Sequence, residues 1–281
     1  MSKVIKVLLV VVLVLDFTIP ADAWIVRHRR YRSTRQQYVT AKSAFLWDVS
    51  KDKIYFAKNA DVRIYPASTT KVMTVMLALE KLPMDEYVTV SQRATQVPPT
   101  SLGFRPGEQY RVKDLIYACL LKSANDAAGV LAEAMAGSEE KFVDMMNQKA
   151  WAIGARHTHF ANPHGLPSAA QQYSTARDMA IIFNEALKNP FFQKAITLRY
   201  RIIYSKNGQR HFLKSHNRAL FSNWKQEVIG KTGYTREAGA CFVGYFRRGN
   251  DILIADIFDC HNLRRWGELK WIIQHYAGVN L

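Results

Sequence analysis

Apolar and polar positions divide the chain into two strand-rich ends and a helical middle. Alternating apolar residues at 43–48 and 53–57, separated by the polar stretch 49–52, predict a hairpin. Alternation resumes later and predicts further strands at residues 196–204, 209–213, 228–234, 240–247 and 251–259. Apolar positions that recur every three or four residues predict helices at residues 72–81, 112–136, 139–153, 174–188 and 266–277.

Strands from both ends of the chain around a helical insertion predict an α+β fold, in which helices flank an antiparallel sheet. The insertion, roughly residues 85–190, is expected to form an all-helical subdomain. The polar stretch 123–126 interrupts one helical pattern, and we expect a turn there whose side chains project into a cleft. Ser174 is predicted to cap the helix that runs to about Lys188.

The N-terminus has the pattern of an export signal. Lys3 and Lys6 precede the apolar stretch 7–15, and the small residues Ala21 and Ala23 follow it. We predict a signal peptide over residues 1–23, with an uncleaved anchor as the alternative. The protein is therefore expected in the periplasm or the extracytoplasmic cell envelope of a bacterium.

The chain carries a formal net charge of +16, which predicts a polyanionic neighbour. Export makes nucleic acid an unlikely partner. Residues 24–37 form a predicted basic arm, with five arginines between Arg27 and Arg35. Two interpretations of this arm remain: it is solvated, or it adheres to anionic lipid headgroups or to an anionic wall polymer.

Cysteine and histidine usage does not indicate a metal site, and no cofactor is expected. The chain has three cysteines and no Cys-x-x-Cys pair. Whether Cys241 and Cys260 form a disulfide is left open, because a turn near residues 249–250 places Cys241 opposite residues around 257. His164 and His216 are predicted to be structural, since neither has partners at metal-ligand spacing.

Ser68 and Lys71 carry the candidate chemistry. They lie three residues apart just before the apolar run 72–81, and that spacing places two helical side chains on one face, with Cβ atoms about 5–6 Å apart. A serine hydroxyl needs a base to remove its proton, and a lysine serves as that base when burial or a neighbouring cation lowers its pKa. The alternative is a capping serine followed by a solvated lysine.

Two later motifs favour catalysis over capping. Ser-Ala-Asn at 123–125 and Lys-Thr-Gly at 231–233 follow the Ser-x-x-Lys pair in order. These three elements, in this order, mark penicillin-binding proteins and serine β-lactamases. Together with the stretches 120–128, 160–166 and 230–235, they show that residues 38–281 resemble low-molecular-mass penicillin-binding proteins of the D-alanyl-D-alanine carboxypeptidase type, with a β-lactamase/transpeptidase-like fold.

The residue types suggest a separate role for each candidate residue. Ser68 is the predicted nucleophile, Lys71 the base, and Ser123 the proton route to the leaving amine. Asn125 is expected to bind the substrate amide. Lys231, as a fixed cation beside Lys71, is expected to favour the neutral amine of Lys71 and to attract a substrate carboxylate.

The strand that carries the third motif is expected to hold the substrate. Thr232 would hydrogen-bond the substrate carboxylate, and Gly233 leaves room for a substrate extended along the strand. The resemblance implies that the backbone N–H groups of Ser68 and Tyr234 bind the oxyanion. It also implies that an arginine at the start of the closing helix binds the terminal carboxylate, either Arg265, the preferred choice, or its neighbour Arg264.

The predicted function is that of an exported serine DD-peptidase. It would cleave the D-alanyl-D-alanine bond of peptidoglycan stem peptides through a seryl acyl-enzyme, in cell-wall maturation or remodelling, with β-lactam antibiotics as covalent inhibitors. An endopeptidase that cuts cross-links is the alternative, favoured because the chain stops at the closing helix, as in shorter family members. A β-lactamase is less expected, since no Glu-x-x-Leu-Asn sequence lies between residues 123 and 231. The intact motifs argue against a catalytically idle wall-binding protein.

Overall fold

The computed structural model describes residues 39–97 and 100–281. The predicted signal peptide (1–23) and basic arm (24–37) lie outside the described residues, so both stay predictions.

The described chain forms strands and helices close to the predicted ones. The strands are β1 (Ser43–Asp48), β2 (Lys53–Lys58), β3 (Tyr87–Thr89), β4 (Gln109–Arg111), β5 (Tyr200–Tyr204), β6 (Arg210–Lys214), β7 (Ile229–Thr235), β8 (Gly239–Arg248) and β9 (Asp251–Cys260). The α-helices are α1 (Lys71–Lys81), α2 (Gln92–Thr95), α3 (Val112–Tyr117), α4 (Asn125–Ala136), α5 (Glu139–Ala152), α6 (Ala176–Leu187), α7 (Pro190–Ile196) and α8 (Arg265–Ala277).

Five strands form an antiparallel sheet in the order β2-β1-β9-β8-β7, which places β7 at one edge. Its two faces pack against different cores. On β9, Ile254 and Phe258 join the core shared with the helical insertion, whereas Leu253, Ala255 and Ile257 join the core under α8. Period-2 alternation therefore buries both faces of the central strand. This arrangement confirms the predicted α+β fold with helices on both sides of an antiparallel sheet, but the insertion predicted to be all-helical also contains the antiparallel pair of β3 and β4.

Helix α1 lies in the larger core and is buried along most of its length. Its first eight residues, 71–78, are all buried, as the apolar run in the sequence predicts. Full burial of a large aliphatic side chain contributes about 1.5–3 kcal/mol. The turn that carries Ser68 is therefore joined to a helix that is buried over its first two turns.

The strand predicted at 196–204 begins too early. Residues up to Ile196 belong to α7, because the Asn189 side chain caps that helix by accepting from two backbone N–H groups and Pro190 occupies its first turn. The strand that follows is β5, and its partner β6 extends one residue beyond the predicted 209–213.

The predicted cap at Ser174 is also wrong. Thr175 is the N-cap of α6, and its hydroxyl accepts from the backbone N–H of Asp178. Ser174 instead pairs through its backbone with Ile64 in a short antiparallel bridge. The two hydroxyl residues are adjacent, so the sequence pattern does not separate them.

The open question about the cysteines is answered by the sheet. Cys241 belongs to the core on the helical side, and Cys260 belongs to the core under α8. Both are free and buried, as is Cys119. The two side chains lie on opposite faces of the sheet, which prevents a disulfide between them.

Within residues 39–97 and 100–281, no helix has the length and hydropathy required to cross a bilayer.

Candidate active site

Ser68 lies in a single 3₁₀ turn, Ala67–Thr70, that leads directly into α1. Ala67 adopts a left-handed backbone conformation with φ of 47°, which is unusual for a residue with a side chain. The opposing Gly165 packs so closely that a Cβ there would lie 1.8 Å from the carbonyl oxygen of Ala67. A strained turn is thus held in place by a tightly packed neighbouring loop, as is common at functional sites.

The Lys71 amine is surrounded by acceptors. Its Nζ lies 2.7 Å from Asn125 Oδ1, 2.7 Å from the backbone carbonyl of His164 and 3.2 Å from Ser68 Oγ. A neutral amine has two N–H groups and one lone pair. The first two acceptors can take both N–H groups, which leaves the lone pair for the hydroxyl proton of Ser68.

Burial lowers the pKa of Lys71 to about 7, although the nearby Cys119 and Asp126 act in the opposite direction. Desolvation disfavours a charged amine, and the side chain is fully buried. Neutral and charged forms of Lys71 are therefore both available near neutral pH. This is the property expected of a general base.

Two contributors to this arrangement were missed in the sequence. Asn125, which is predicted to bind the substrate amide, also contacts the base, because its Oδ1 accepts from the Lys71 amine. The backbone carbonyl of His164 has no signature in the sequence. Its loop is shaped by Asn162, whose Oδ1 accepts from the backbone N–H of Gly165 and whose Nδ2 donates to the carbonyl of Leu166.

Ser123 lies between a short π-helix at 118–122 and α4, in a left-handed conformation with φ of 62°. Its Oγ accepts a hydrogen bond of 2.8 Å from the Nζ of Lys231, which also donates to the carbonyl of Thr232. The turn predicted at 123–126 is confirmed for residues 123 and 124, whereas Asn125 and Asp126 already belong to α4. The Ser123–Lys231 contact joins this helical side of the cleft to β7.

Lys231 is predicted to be a fixed cation, and its surroundings oppose that charge. Burial, and then the charge of Lys71, hold the pKa of Lys231 well below its usual range. Two buried lysines near each other disfavour double protonation. An anionic group bound beside Lys231 would raise that pKa again, because an opposite charge favours the charged form.

The edge strand β7 runs directly alongside the serine turn. A Cβ at Gly233 would lie 3.1 Å from the backbone nitrogen of Ser68, so only glycine allows this close approach without displacement. The next residue, Tyr234, is 58 % exposed and lines the same cleft as Ser68. Ser68 and Tyr234 therefore lie at neighbouring positions along the cleft.

Arg265 is the first residue of α8, and it is buried under the sheet edge. Its guanidinium donates to the carbonyls of Gly233 and Cys241 at 3.1 Å, and its Nε has no partner. It lines the cleft, whereas its neighbour Arg264 is exposed and does not. The geometry therefore selects Arg265 over Arg264.

Ser68, Ser123, Tyr234 and Arg265 border a cleft of about 560 Å³ between the helical side and β7. Four cationic side chains line it, and among the described residues no carboxylate does; the cations are Lys122, Lys214, Arg218 and Arg265. Such a cleft attracts anionic ligands.

The two histidines predicted to be structural, His164 and His216, both lie close to the catalytic residues. Burial and the nearby Lys71 lower the pKa of His164 to about 3, and its ring accepts from the backbone N–H of Leu166. His216 lines the cleft, and burial with the nearby Lys231 lowers its pKa to about 4. In the part of the chain that the structure describes, no three His, Cys, Asp or Glu side chains gather where they could hold a metal ion.

Comparison with known proteins identifies one family. The sequence model of a family described as D-alanyl-D-alanine carboxypeptidase matches residues 30–262. The D-alanyl-D-alanine carboxypeptidase DacF of Bacillus subtilis is 34 % identical over 263 residues, which cover 92 % of this chain and 66 % of that protein. A D-alanyl-D-alanine endopeptidase of Pseudomonas aeruginosa is 30 % identical over 83 % of this chain and 79 % of its own length.

Solved structures agree with the sequence comparison. A crystal structure of a D-alanyl-D-alanine carboxypeptidase from Mycobacterium tuberculosis superimposes with a TM-score of 0.78 at 28 % identity. The match covers 85 % of this chain and 92 % of that one. The similarity therefore extends over most of the chain.

Proposed function

The chain belongs to the D-alanyl-D-alanine carboxypeptidase family of serine peptidases, and from this premise we propose that it hydrolyses the D-alanyl-D-alanine bond of peptidoglycan stem peptides. The observation that carries the proposal is the Lys71 amine, held between two protein acceptors and the hydroxyl of Ser68. This arrangement suits a serine acyl-transfer reaction without a cofactor.

Acylation begins with proton transfer from Ser68 to the neutral amine of Lys71. The Oγ of Ser68 forms a bond to the carbonyl carbon of the penultimate D-alanine, and the carbonyl oxygen becomes an oxyanion. The backbone N–H groups of Ser68 and Tyr234 would stabilise that charge. Removing one such donor typically costs about 10²–10³ in rate.

Breakdown of the tetrahedral intermediate requires a proton on the leaving nitrogen. The carbon–nitrogen bond breaks, and the hydroxyl of Ser123 supplies the proton to the departing amine. The proton that Lys71 took from Ser68 replaces it on Ser123, which returns Lys71 to the neutral form, while Lys231, which donates to Ser123 Oγ at 2.8 Å, holds that hydroxyl in place. Water then attacks the ester on Ser68, which releases the shortened peptide and restores the hydroxyl.

The substrate carboxylate is proposed to bind in the cationic cleft. Thr232 and Arg265 line this cleft, and Lys231 directly precedes Thr232 in β7. A bound carboxylate would raise the pKa of Lys231 and so favour its charged form, which burial and the nearby Lys71 otherwise disfavour. β-Lactam antibiotics, which carry a reactive amide and a carboxylate, are expected to acylate Ser68 in the same way.

A specific observation favours cross-links as a second substrate class. The cleft of about 560 Å³ is much larger than the single D-alanine that a carboxypeptidase releases. Cutting a cross-link releases a second stem peptide, whose larger leaving group would use this volume. The similarity to an endopeptidase is consistent with this activity.

Two assays test the proposal. Purified protein should release D-alanine from a soluble peptide that ends in D-alanyl-D-alanine, and Ser68→Ala should abolish release. Digestion of purified peptidoglycan, with separation of the fragments, then distinguishes the two activities. Loss of terminal D-alanine indicates a carboxypeptidase, and conversion of dimers to monomers indicates an endopeptidase. Release of D-alanine by Ser68→Ala at the wild-type rate would refute the proposal.

Location is part of the same proposal. Residues 1–23 are proposed to direct export, and the basic arm to hold the protein near an anionic membrane or wall polymer. Such attachment contributes about 1 kcal/mol for each basic residue near the surface and is weakened by salt. Deleting residues 27–35 should release the protein from envelope fractions, and raising salt should do the same. Retention of the shortened protein at low salt would contradict this role of the arm.

A further inference from the structure

Five exposed apolar or aromatic side chains lie on the hairpin of β5 and β6 and on the turn that follows it. They are Tyr200, Ile202, Tyr204, Phe212 and Phe221, and each is between 37 % and 54 % exposed. We call this set the aromatic patch. The rings of Tyr200 and Phe212 stack with their centroids 5.6 Å apart, and Tyr200 contacts Phe221 edge to face at 5.4 Å. The patch therefore differs from scattered single apolar side chains, which are normal on a surface.

The register of the hairpin shows that the patch occupies one face. Alternate residues of β5 (Tyr200–Tyr204) share this face, and Ile202 lies directly opposite Phe212 of β6. On the other face, Ile203 and Leu213 are buried in the larger core. An antiparallel pair that buries one face usually carries polar residues on the other. The outer face of this hairpin is instead apolar, and packing within the described chain does not account for it.

The chain around the patch is strongly basic. Residues 186–226 contain no Asp or Glu and nine exposed cations, which are Lys188, Lys194, Arg199, Arg201, Lys206, Arg210, Lys214, Arg218 and Lys225. Two of these cations lie on the same face as the patch, since Arg210 pairs with Tyr204 and Lys214 with Tyr200 in the hairpin register. The face therefore combines exposed rings with uncompensated positive charge.

This combination indicates which partner fits the face. Aromatic side chains favour the membrane–water interface, and lysine and arginine bind anionic headgroups. A soluble polyanion would contact the cations and leave the apolar side chains exposed. A second copy of the chain would bring the same cations against them, which opposes association. An anionic bilayer matches both the charge and the apolar side chains.

We propose that the aromatic patch docks on a membrane that contains anionic phospholipids, with its rings among the headgroups and the neighbouring cations against the phosphates. Phe221 and Lys214 also line the catalytic cleft, so docking places the mouth of the cleft near the membrane surface. Stable attachment generally takes two signals, and the patch would act together with the basic arm. The inference does not depend on which peptide the enzyme cleaves.

A dye on the patch tests the contact locally. The three native cysteines are free and buried, so Tyr204→Cys provides one accessible thiol for an environment-sensitive dye. Trp151→Cys is the matched control, because Trp151 is an aromatic residue outside the patch and is 64 % exposed. Emission from the dye on Tyr204→Cys should shift to the blue with vesicles of phosphatidylglycerol and phosphatidylcholine in equal parts. It should not shift with phosphatidylcholine alone, and the control should shift with neither.

Flotation of the full chain with the same anionic vesicles measures the contribution of each group. Phe212→Ser should lower the partition coefficient about fivefold, because a ring that is partly buried among headgroups is lost. Arg210→Gln should also lower it about fivefold, because one cation near the anionic surface is lost. Trp151→Ser and Arg156→Gln, whose side chains pack together elsewhere, are the matched controls and should bind as wild type. Labelling of Ser68 by a fluorescent penicillin checks that each variant is folded.

The outcomes separate the docking surface from the proposed function. Weaker flotation of Phe212→Ser and Arg210→Gln, with normal penicillin labelling, supports the surface. Absence of a blue shift in Tyr204→Cys overturns it, as does an equal shift with phosphatidylcholine alone or with polyphosphate, a soluble polyanion. Blue emission without vesicles also overturns it, because another part of the protein or a second copy then covers the patch. The DD-peptidase function is tested separately, by acylation of Ser68 and release of D-alanine from a soluble peptide.

Discussion

The catalytic cleft lies between a helical wall, which carries Ser68, Lys71 and Ser123, and a strand wall, β7. The two walls differ in how many of their hydrogen bonds are formed within the protein itself. On the helical wall, Lys71 is fully buried and already bonded to Asn125 and the loop at His164, close to Ser68. On the strand wall, β7 is an edge strand, and Tyr234 is 58 % exposed.

This difference suggests that the helical wall is organised for chemistry before a substrate arrives. Groups fixed in advance need little reorganisation during the reaction. The strand wall instead presents backbone groups and cations to the substrate. Changes on the helical wall should therefore mainly lower the rate of acylation, and changes on the strand wall should mainly weaken substrate binding.

The largest effect is expected for Lys71→Ala. It removes the base and its proton path, so acylation by a labelled penicillin should fall by about 10⁴ or more, as for other residues that act as one unit with the nucleophile. Lys81→Ala, an exposed lysine at the other end of α1, is the matched control and should acylate normally. Acylation of Lys71→Ala within tenfold of wild type would show that Lys71 is not the base.

Ser123→Ala tests the proton route on the same wall. The substitution removes one hydroxyl that bonds Lys231, and the rate of acylation should fall by about 10²–10⁴, as is typical for a general acid–base contributor. Stopped-flow measurement of acylation gives the rate directly. An unchanged rate would remove Ser123 from the mechanism.

Gly165→Ala tests whether the packed loop holds the serine turn. A Cβ there would lie 1.8 Å from the carbonyl oxygen of Ala67, so the turn or the loop must shift. We expect at least a tenfold loss of acylation, on the scale by which small misplacements reduce rate. Gly208→Ala is the matched control, because Gly208 has nearly the same φ (86° against 84°) but open space around it. Equal losses in both variants would attribute the effect to backbone strain alone.

Arg265→Leu tests the strand wall. A lost charged hydrogen bond to the substrate carboxylate is worth about 1.5–3 kcal/mol, or roughly 10- to 100-fold in kcat/KM. The loss should appear mainly as a higher KM for the D-alanyl-D-alanine peptide. Arg264→Leu, the exposed neighbour, should behave as wild type. If the substitution lowers kcat and leaves KM unchanged, the strand wall does not act mainly in substrate binding, and the comparison of the two walls is wrong.

How much of this site can be predicted from the sequence depends on how far apart in the chain the contacting residues lie. The pairing of Ser68 with Lys71 is local, since a spacing of three on a helical turn nearly determines it. The second and third motifs are recognisable because their residue types and order are distinctive. Their side chains meet in the structure, where Lys231 binds Ser123 over a separation of 108 residues.

The missed contributions are of a different kind. The acceptor from His164 is a backbone carbonyl 93 residues from Lys71, and any residue type supplies such a group. Asn125 stays the predicted ligand of the substrate amide, and its second contact, with Lys71, was not predicted because an amide side chain binds a lysine as readily as a peptide. Gly165 left a usable signal, since a glycine within an Asn-Pro-His-Gly stretch indicates a turn or a close backbone approach.

The pH dependence of acylation tests the central claim most directly, namely that burial makes Lys71 a base near neutral pH. The pKa of Lys71 is lowered to about 7, so the neutral amine predominates above that value and the ammonium below it. The acylation rate of wild-type protein with a penicillin should therefore rise about tenfold between about pH 6 and about pH 8 and then level off. A rate that is flat over this range, or that keeps rising towards the ordinary lysine pKa of about 10.4, would contradict the claim.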